Sequence, residues 1–125
     1  MAPTSLNNIS STFAPSHKQQ LLQLAGESIR KGLCGETLSV RATDYPEPLR
    51  VLRATFVTLH VDASLRGCIG TLEARQTLVQ DVASNAFSAA FRDPRFSALT
   101  WTEYVRLDIH ISVLSLHEPL RFSSD

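Results

Sequence analysis

The sequence predicts an α+β domain, a mainly antiparallel sheet with amphipathic helices packed on one face. Three observations lead there. The stretches "TFVTLHVD" and "LDIHISVLS" alternate apolar and polar residues, the period of a half-buried strand. "LRGCIGTL" follows the first of them after a short "DAS" turn, so residues 55–72 read as an antiparallel hairpin. Two other stretches carry apolar residues at helical spacing, and strands with one apolar face need such a cover.

Each element has its own signals. Residues 1–15 read as a flexible lead closed by Pro15, leaving 16–125 as one domain. Ser16 precedes Gln19 at capping-box spacing, and Leu21, Leu22, Ala25, Ile29 and Leu33 form a stripe. That predicts a helix over about 17–33, ended by Gly32 and Gly35. Residues 36–54 carry Pro46 and Pro48 without a clean period and read as a long connection with room for one helical turn. Val57, Leu59 and Val61 share one face of the first hairpin strand, with Thr58 and His60 on the other. Asp62, Ala63 and Ser64 form its turn. Thr77 and Gln80 repeat the capping box and open a helix over 78–91, with Val79, Val82, Ala83, Ala86, Phe87, Ala90 and Phe91 inward. Asp93-Pro94 stops it. Thr100 and Glu103 make a third box and start a short helix near 101–106, whose Trp101 and Tyr104 suit core packing or a partner anchor. The strand from 107 to 115 is the last element before "LHEPLRFSSD".

Composition excludes several classes. A chain of 125 residues suits one domain. Twelve basic residues balance twelve acidic ones, and basic and aromatic residues do not interleave, so no nucleic acid is expected as a partner. No apolar run approaches the roughly 18 residues that span a bilayer, and "MAPTSLNNISSTFAPSHK" has no apolar signal core. No membrane partner is expected. The two cysteines are expected as reduced thiols in a cytoplasmic protein. A glycine-rich phosphate loop, GxSxG, CxxC and HExxH are all absent, which removes most support for serine-hydrolase, kinase-like and thioredoxin-like readings.

The residues that carry chemistry cluster in "LRGCIGT", Leu65 to Thr71. Simple strand parity puts Arg66, Cys68 and Gly70 on one face. A cation beside a thiol favours the thiolate, so Arg66 is a candidate activator or anion binder and Cys68 a candidate nucleophile. Gly67 and Gly70 leave room beside the sulfur for a ligand or a close backbone. Two readings stand together: a functional thiol, and a small buried residue next to a bulge. Glu73 reaches this site only if Gly70 bends the strand. In "FRDPRF", Arg92, Asp93 and Arg95 either finish a helix end or form a guanidinium site for an anion. His60 and His110 lie on polar strand faces that can meet, but two histidines fit no metal spacing, so no metal site is expected. His17 and His117 read as surface residues, and Cys34 as incidental.

"FVTL" leading into "LRGCIGTLE", then a helix, "AAFRDPRFSALT", "LDIHISVLS" and "EPL" together resemble the AMMECR1 family, in order from about Leu21 to Leu120. The resemblance implies an α+β fold. It implies a family found in archaea, bacteria and eukaryotes, and in prokaryotes beside or fused to Memo-like and radical-SAM proteins (the AmmeMemoRadiSam system). It brings no established reaction and no cofactor. By motif, Leu65 to Gly70 carry the family's signature and Arg92 to Arg95 its second stretch. The chain departs from the family at the Asp62-Ala63-Ser64 turn, which lacks an Asn-Gly pair, and at Trp101, where proline is common. Family domains usually continue past this end, so the C-terminal part is expected to be missing. The expected function is a ligand- or partner-binding component of a modification system with Memo-like and radical-SAM proteins, taking a peptide or small molecule. The alternative is an enzyme or enzyme subunit that uses Cys68 as a thiolate nucleophile, with backbone N–H groups at Gly67 or Gly70 holding an oxyanion.

Overall fold

The computed structural model describes residues 5–6 and 14–114. In chain order the elements are β1 (Ser5–Leu6), α1 (Pro15–Leu33), 3-10 turns at Ala42–Asp44 and Glu47–Leu49, β2 (Thr55–Val61), β3 (Ser64–Gly70), α2 (Leu78–Phe91), α3 (Trp101–Tyr104) and β4 (Leu107–Val113). The predicted α+β architecture is present. Three antiparallel strands run β4-β2-β3, and β1 adds a short parallel edge beside β4. The expected lead therefore contributes Ser5 and Leu6 to the sheet, pairing with His110 and Ile111. His117 and the rest of the chain end lie outside the described residues.

Alternation places Val57, Leu59 and Val61 of β2 beside Ile109 and Ile111 of β4 on the face that meets the helices. Leu21, Ala25 and Ile29 of α1 and Val79, Val82 and Ala86 of α2 complete the core from above. α2 lies over β2 and β3, and α1 packs against α2 and over β4.

α1 begins at Pro15, ahead of the Ser16 box, because Pro15 takes the first helical position, where its missing N–H costs nothing. Ala14 is the N-cap, and its N–H donates to His17 Nδ1 at 3.4 Å. At the other end Gly35 has φ +80°. The N–H of Glu36 donates to Lys31 O, and that of Gly35 to Gly32 O. This is a Schellman close, which needs the left-handed residue that glycine supplies. Gly32 plays a different part from the one expected. It lies inside α1, where a Cβ would stand 2.4 Å from the Phe91 ring, so it lets α2 come close. Both other boxes form: Gln80 N–H donates to Thr77 Oγ1, and Glu103 N–H to Thr100 Oγ1.

The hairpin turn is tighter than predicted. Asp62 and Ala63 alone make it, with φ of 53° and 69°, and Ser64 already belongs to β3. Positive φ at both positions is the requirement of the two-residue turn that matches strand twist. Asp62 tolerates it and is also paired with Arg106.

Candidate functional site

The signature strand contains a bulge. Leu59 pairs with Gly67 and His60 with Leu65, so Arg66 is the extra residue with no partner on β2. This corrects the simple parity that placed Arg66 with Cys68. The Arg66 guanidinium turns to the segment between α2 and β4. Nε donates to Glu103 Oε2 at 2.8 Å, and Nη2 donates to Glu103 Oε1 at 3.0 Å and Ser97 O at 2.9 Å. The pair is largely buried, and Arg66 also lies 5.6 Å from the Phe96 ring centroid. Arg66 is thus committed to a bidentate carboxylate rather than to the thiol.

Cys68 faces the side of the sheet away from the helices, opposite Thr58 in the register. Its Sγ lies 3.2 Å from Thr58 Oγ1. Its backbone N–H points off the free edge of β3 and donates to Asp93 Oδ2 at 3.0 Å. Asp93 is 4 % exposed. It also accepts from the Arg95 N–H at 3.1 Å, from Arg95 Nε at 3.0 Å and from Nη2 at 2.7 Å. The hydrogen bonds from Arg95 hold the Asp93 carboxyl well below the usual carboxylate range. Burial opposes this, and the Cys68 and Arg95 amides reinforce it. Arg95 is raised in turn, first by its hydrogen bond to Asp93, with smaller attractions to Asp93 and Cys68 against the cost of burial.

The glycines do not open a vacant site. A Cβ on Gly67 would stand 2.1 Å from the backbone oxygen of Ala89, so α2 itself fills that space. A Cβ on Gly70 would stand 2.3 Å from the Phe56 ring, which lies over the strand. Glu73 does not turn back to the site. It is exposed in the loop after β3 and paired with Arg75. Arg92 and Arg95 separate: Arg95 bonds Asp93 beside β3, while Arg92 lies over the Phe87 ring at 5.2 Å from its centroid. Phe96, unread in the sequence, lies between the guanidinium groups of Arg66 and Arg95, at 5.6 and 5.4 Å. The "FRDPRF" motif sets it beside Arg95, but Arg66 comes to it from β3, beyond any local signal.

His60 and His110 meet as neighbouring strands allow, with ring centroids 5.1 Å apart. Among the described residues no group of three or more His, Cys, Asp and Glu side chains is placed to hold a metal ion. His110 sits opposite Thr58, two strands from Cys68, a span of roughly 9–10 Å between Cα atoms. Tyr104 packs on α1, its hydroxyl donating to Gly26 O at 3.4 Å, while Trp101 stays half exposed against it. No helix among the described residues is long and apolar enough to cross a membrane.

The Arg66–Glu103 pair makes the fold acid-sensitive. The hydrogen bonds from Arg66 lower the Glu103 pKa from 4.5 to about 2; burial opposes and the Thr100 bonds assist. A carboxyl depressed in the folded state contributes stability above its unfolded pKa and loses it as pH falls through the folded value. Thermal denaturation should therefore show stability falling as pH drops from about 4.5 to about 2. In Glu103→Gln this part of the pH profile should flatten. An unchanged profile would mean that the pair contributes nothing across that range.

A sheet of antiparallel strands under two helices, with a glycine-flanked Cys68 on the edge strand, defines the class of domain. The AMMECR1 family model matches residues 22–125, and the chain belongs to the AMMECR1 family. A protein of Methanothermobacter thermautotrophicus is 35% identical over 115 residues, covering 90% of this chain and 60% of its own. One from Thermotoga maritima is 45% identical over 83 residues, covering 64% and 48%. The crystal structure of uncharacterized protein PH0010 from Pyrococcus horikoshii superposes with a TM-score of 0.71 at 31% identity, covering 77% of this chain and 50% of that one. The chain spans about half the length of the curated relatives it matches.

Proposed function

We propose that this AMMECR1-family chain is a ligand- or partner-binding component, acting with Memo-like and radical-SAM proteins, and not a thiol enzyme. One observation carries the reading: among the described residues, Arg66, Asp93 and Arg95, the charged groups of the signature stretches nearest Cys68, each already hold a structural partner. Arg66 is bound to Glu103, Asp93 to the Cys68 amide and Arg95, and the thiol itself touches a threonine hydroxyl. A thiol nucleophile needs a base in hydrogen-bond reach; Cys68 Sγ has Thr58 Oγ1 there, with His60 two residues along β2 from that threonine and His110 one strand further off.

Alkylation followed by mass spectrometry tests this, with the exposed Cys34 as internal control. The expected result is that Cys68 reacts more slowly than Cys34 at every pH. A Cys68 that outpaces Cys34 near neutral pH would sink the binding-only reading and favour the nucleophile. The partner half is tested by titrating the chain with a purified Memo-like protein and a radical-SAM protein, and no binding to either would remove it.

A further inference from the structure

A groove of about 350 Å³ lies on the other side of the molecule from Cys68, between the segment after α1 and the outer face of α2. Thr37, Leu38 and Val40 form one wall. Gln80, Ser84, Ser88 and Arg92 run along the other, each four residues apart and so on one helix face. Ala83 and Phe87 line the groove between them. The volume falls in the range of small-molecule sites.

Arg92 is the charged side chain in this lining. It caps α2 and stacks on Phe87, and among the described residues it has no carboxylate partner. The other arginines of this region differ, since Arg66 and Arg95 are each held bidentately by an acid. A guanidinium fork left open over an aromatic ring, at the end of an uncharged groove, matches one carboxylate or phosphate on an apolar body.

We infer that this groove binds a small organic acid with one carboxylate or phosphate group, that group on Arg92 and its body against Phe87, Ala83 and Leu38, with the Ser84 and Ser88 hydroxyls beside it. The site gives the ligand half of the proposed function a place and a chemistry, and it rests on that reading. It uses no residue of the Cys68 site.

The test is an amide NMR titration of the whole chain. The probes are a fragment set of carboxylates and phosphate monoesters, each paired with its neutral amide or alcohol, and inorganic phosphate alone. Acid fragments should move the signals of residues 37–40 and 80–92, and bind at least about tenfold more tightly than their neutral pairs. Arg92→Gln should remove that preference, whereas Arg95→Gln should leave it intact. Carboxylates favoured over phosphate esters, or the reverse, identify the acid group. Inorganic phosphate acting as well as the esters, no acid binding better than its neutral pair, or a preference that survives Arg92→Gln would each overturn the inference. Such a failure removes the ligand site and leaves the partner titration to be read separately.

Discussion

Gly67→Ala is expected to cost about 4 kcal/mol or more, enough to leave much of the chain unfolded at 25 °C. The new methyl would stand 2.1 Å from the Ala89 carbonyl oxygen and 3.0 Å from its carbon. Both belong to the backbone of α2, so no rotamer change relieves the overlap. The helix must lift from β3, and the core side chains between them lose contact. Gly70→Ala is the matched control. The atoms nearest its methyl belong to the Phe56 ring, a side chain that must change rotamer to make room, so about 1–3 kcal/mol is expected there. Ala89→Gly should not rescue Gly67→Ala, because the clashing oxygen remains. Urea denaturation followed by circular dichroism reads all three. A Gly67→Ala protein within about 1 kcal/mol of the parent would show that α2 yields easily and that the close approach of helix and strand is not what requires glycine here.

That result bears on how the signature is understood. Glycine at 67 permits a helix to sit on an edge strand, and the bulge at Arg66 turns a charged side chain off the sheet to tie down the chain after α2. The sequence shows the glycines and the arginine but not these partners. Strand alternation in β2 and β4 was readable because one face of each packs on helices. Thr77 with Gln80, and Thr100 with Glu103, were readable because a capping box is local. The glycines raised a bulge as one reading, but its place at Arg66, which inverts parity, shows only in the register with β2. The second partner of Glu103 lies 37 residues away along the chain, beyond any local signal. In the same way Arg92 and Arg95, three residues apart in one motif, end on different surfaces because the helix stops between them. Asp81, the residue most deeply missed, looks like an ordinary acid in the first turn of a helix.

Asp81 is 1 % exposed and accepts five hydrogen bonds. Its Oδ2 takes the Thr55 N–H at 2.8 Å, the Thr55 hydroxyl at 2.7 Å, the Thr71 hydroxyl at 2.9 Å and the Asn85 amide at 3.1 Å. Its Oδ1 takes the Gln76 amide at 3.1 Å. One carboxylate thus joins the start of β2, the exit from β3 and the first turn of α2. Asp81→Ala strands these donors in a buried site, and a loss of about 3–5 kcal/mol is expected. Asp81→Asn separates the causes. An amide oxygen in the Oδ2 position keeps four of the five bonds, and Gln76 can turn its own oxygen to the new N–H₂. About 1–2 kcal/mol is then expected, because only the charge assistance is lost. Equilibrium urea unfolding of both variants checks the pair. If Asp81→Asn is as damaging as Asp81→Ala, the charge itself is what holds these three elements together. If Asp81→Ala is nearly neutral, the donors find other acceptors and the network does not anchor the fold. Gln76 links this network to the groove beside α2, which it also lines, so the anion titration of Asp81→Asn should match that of the parent wherever the fold is retained.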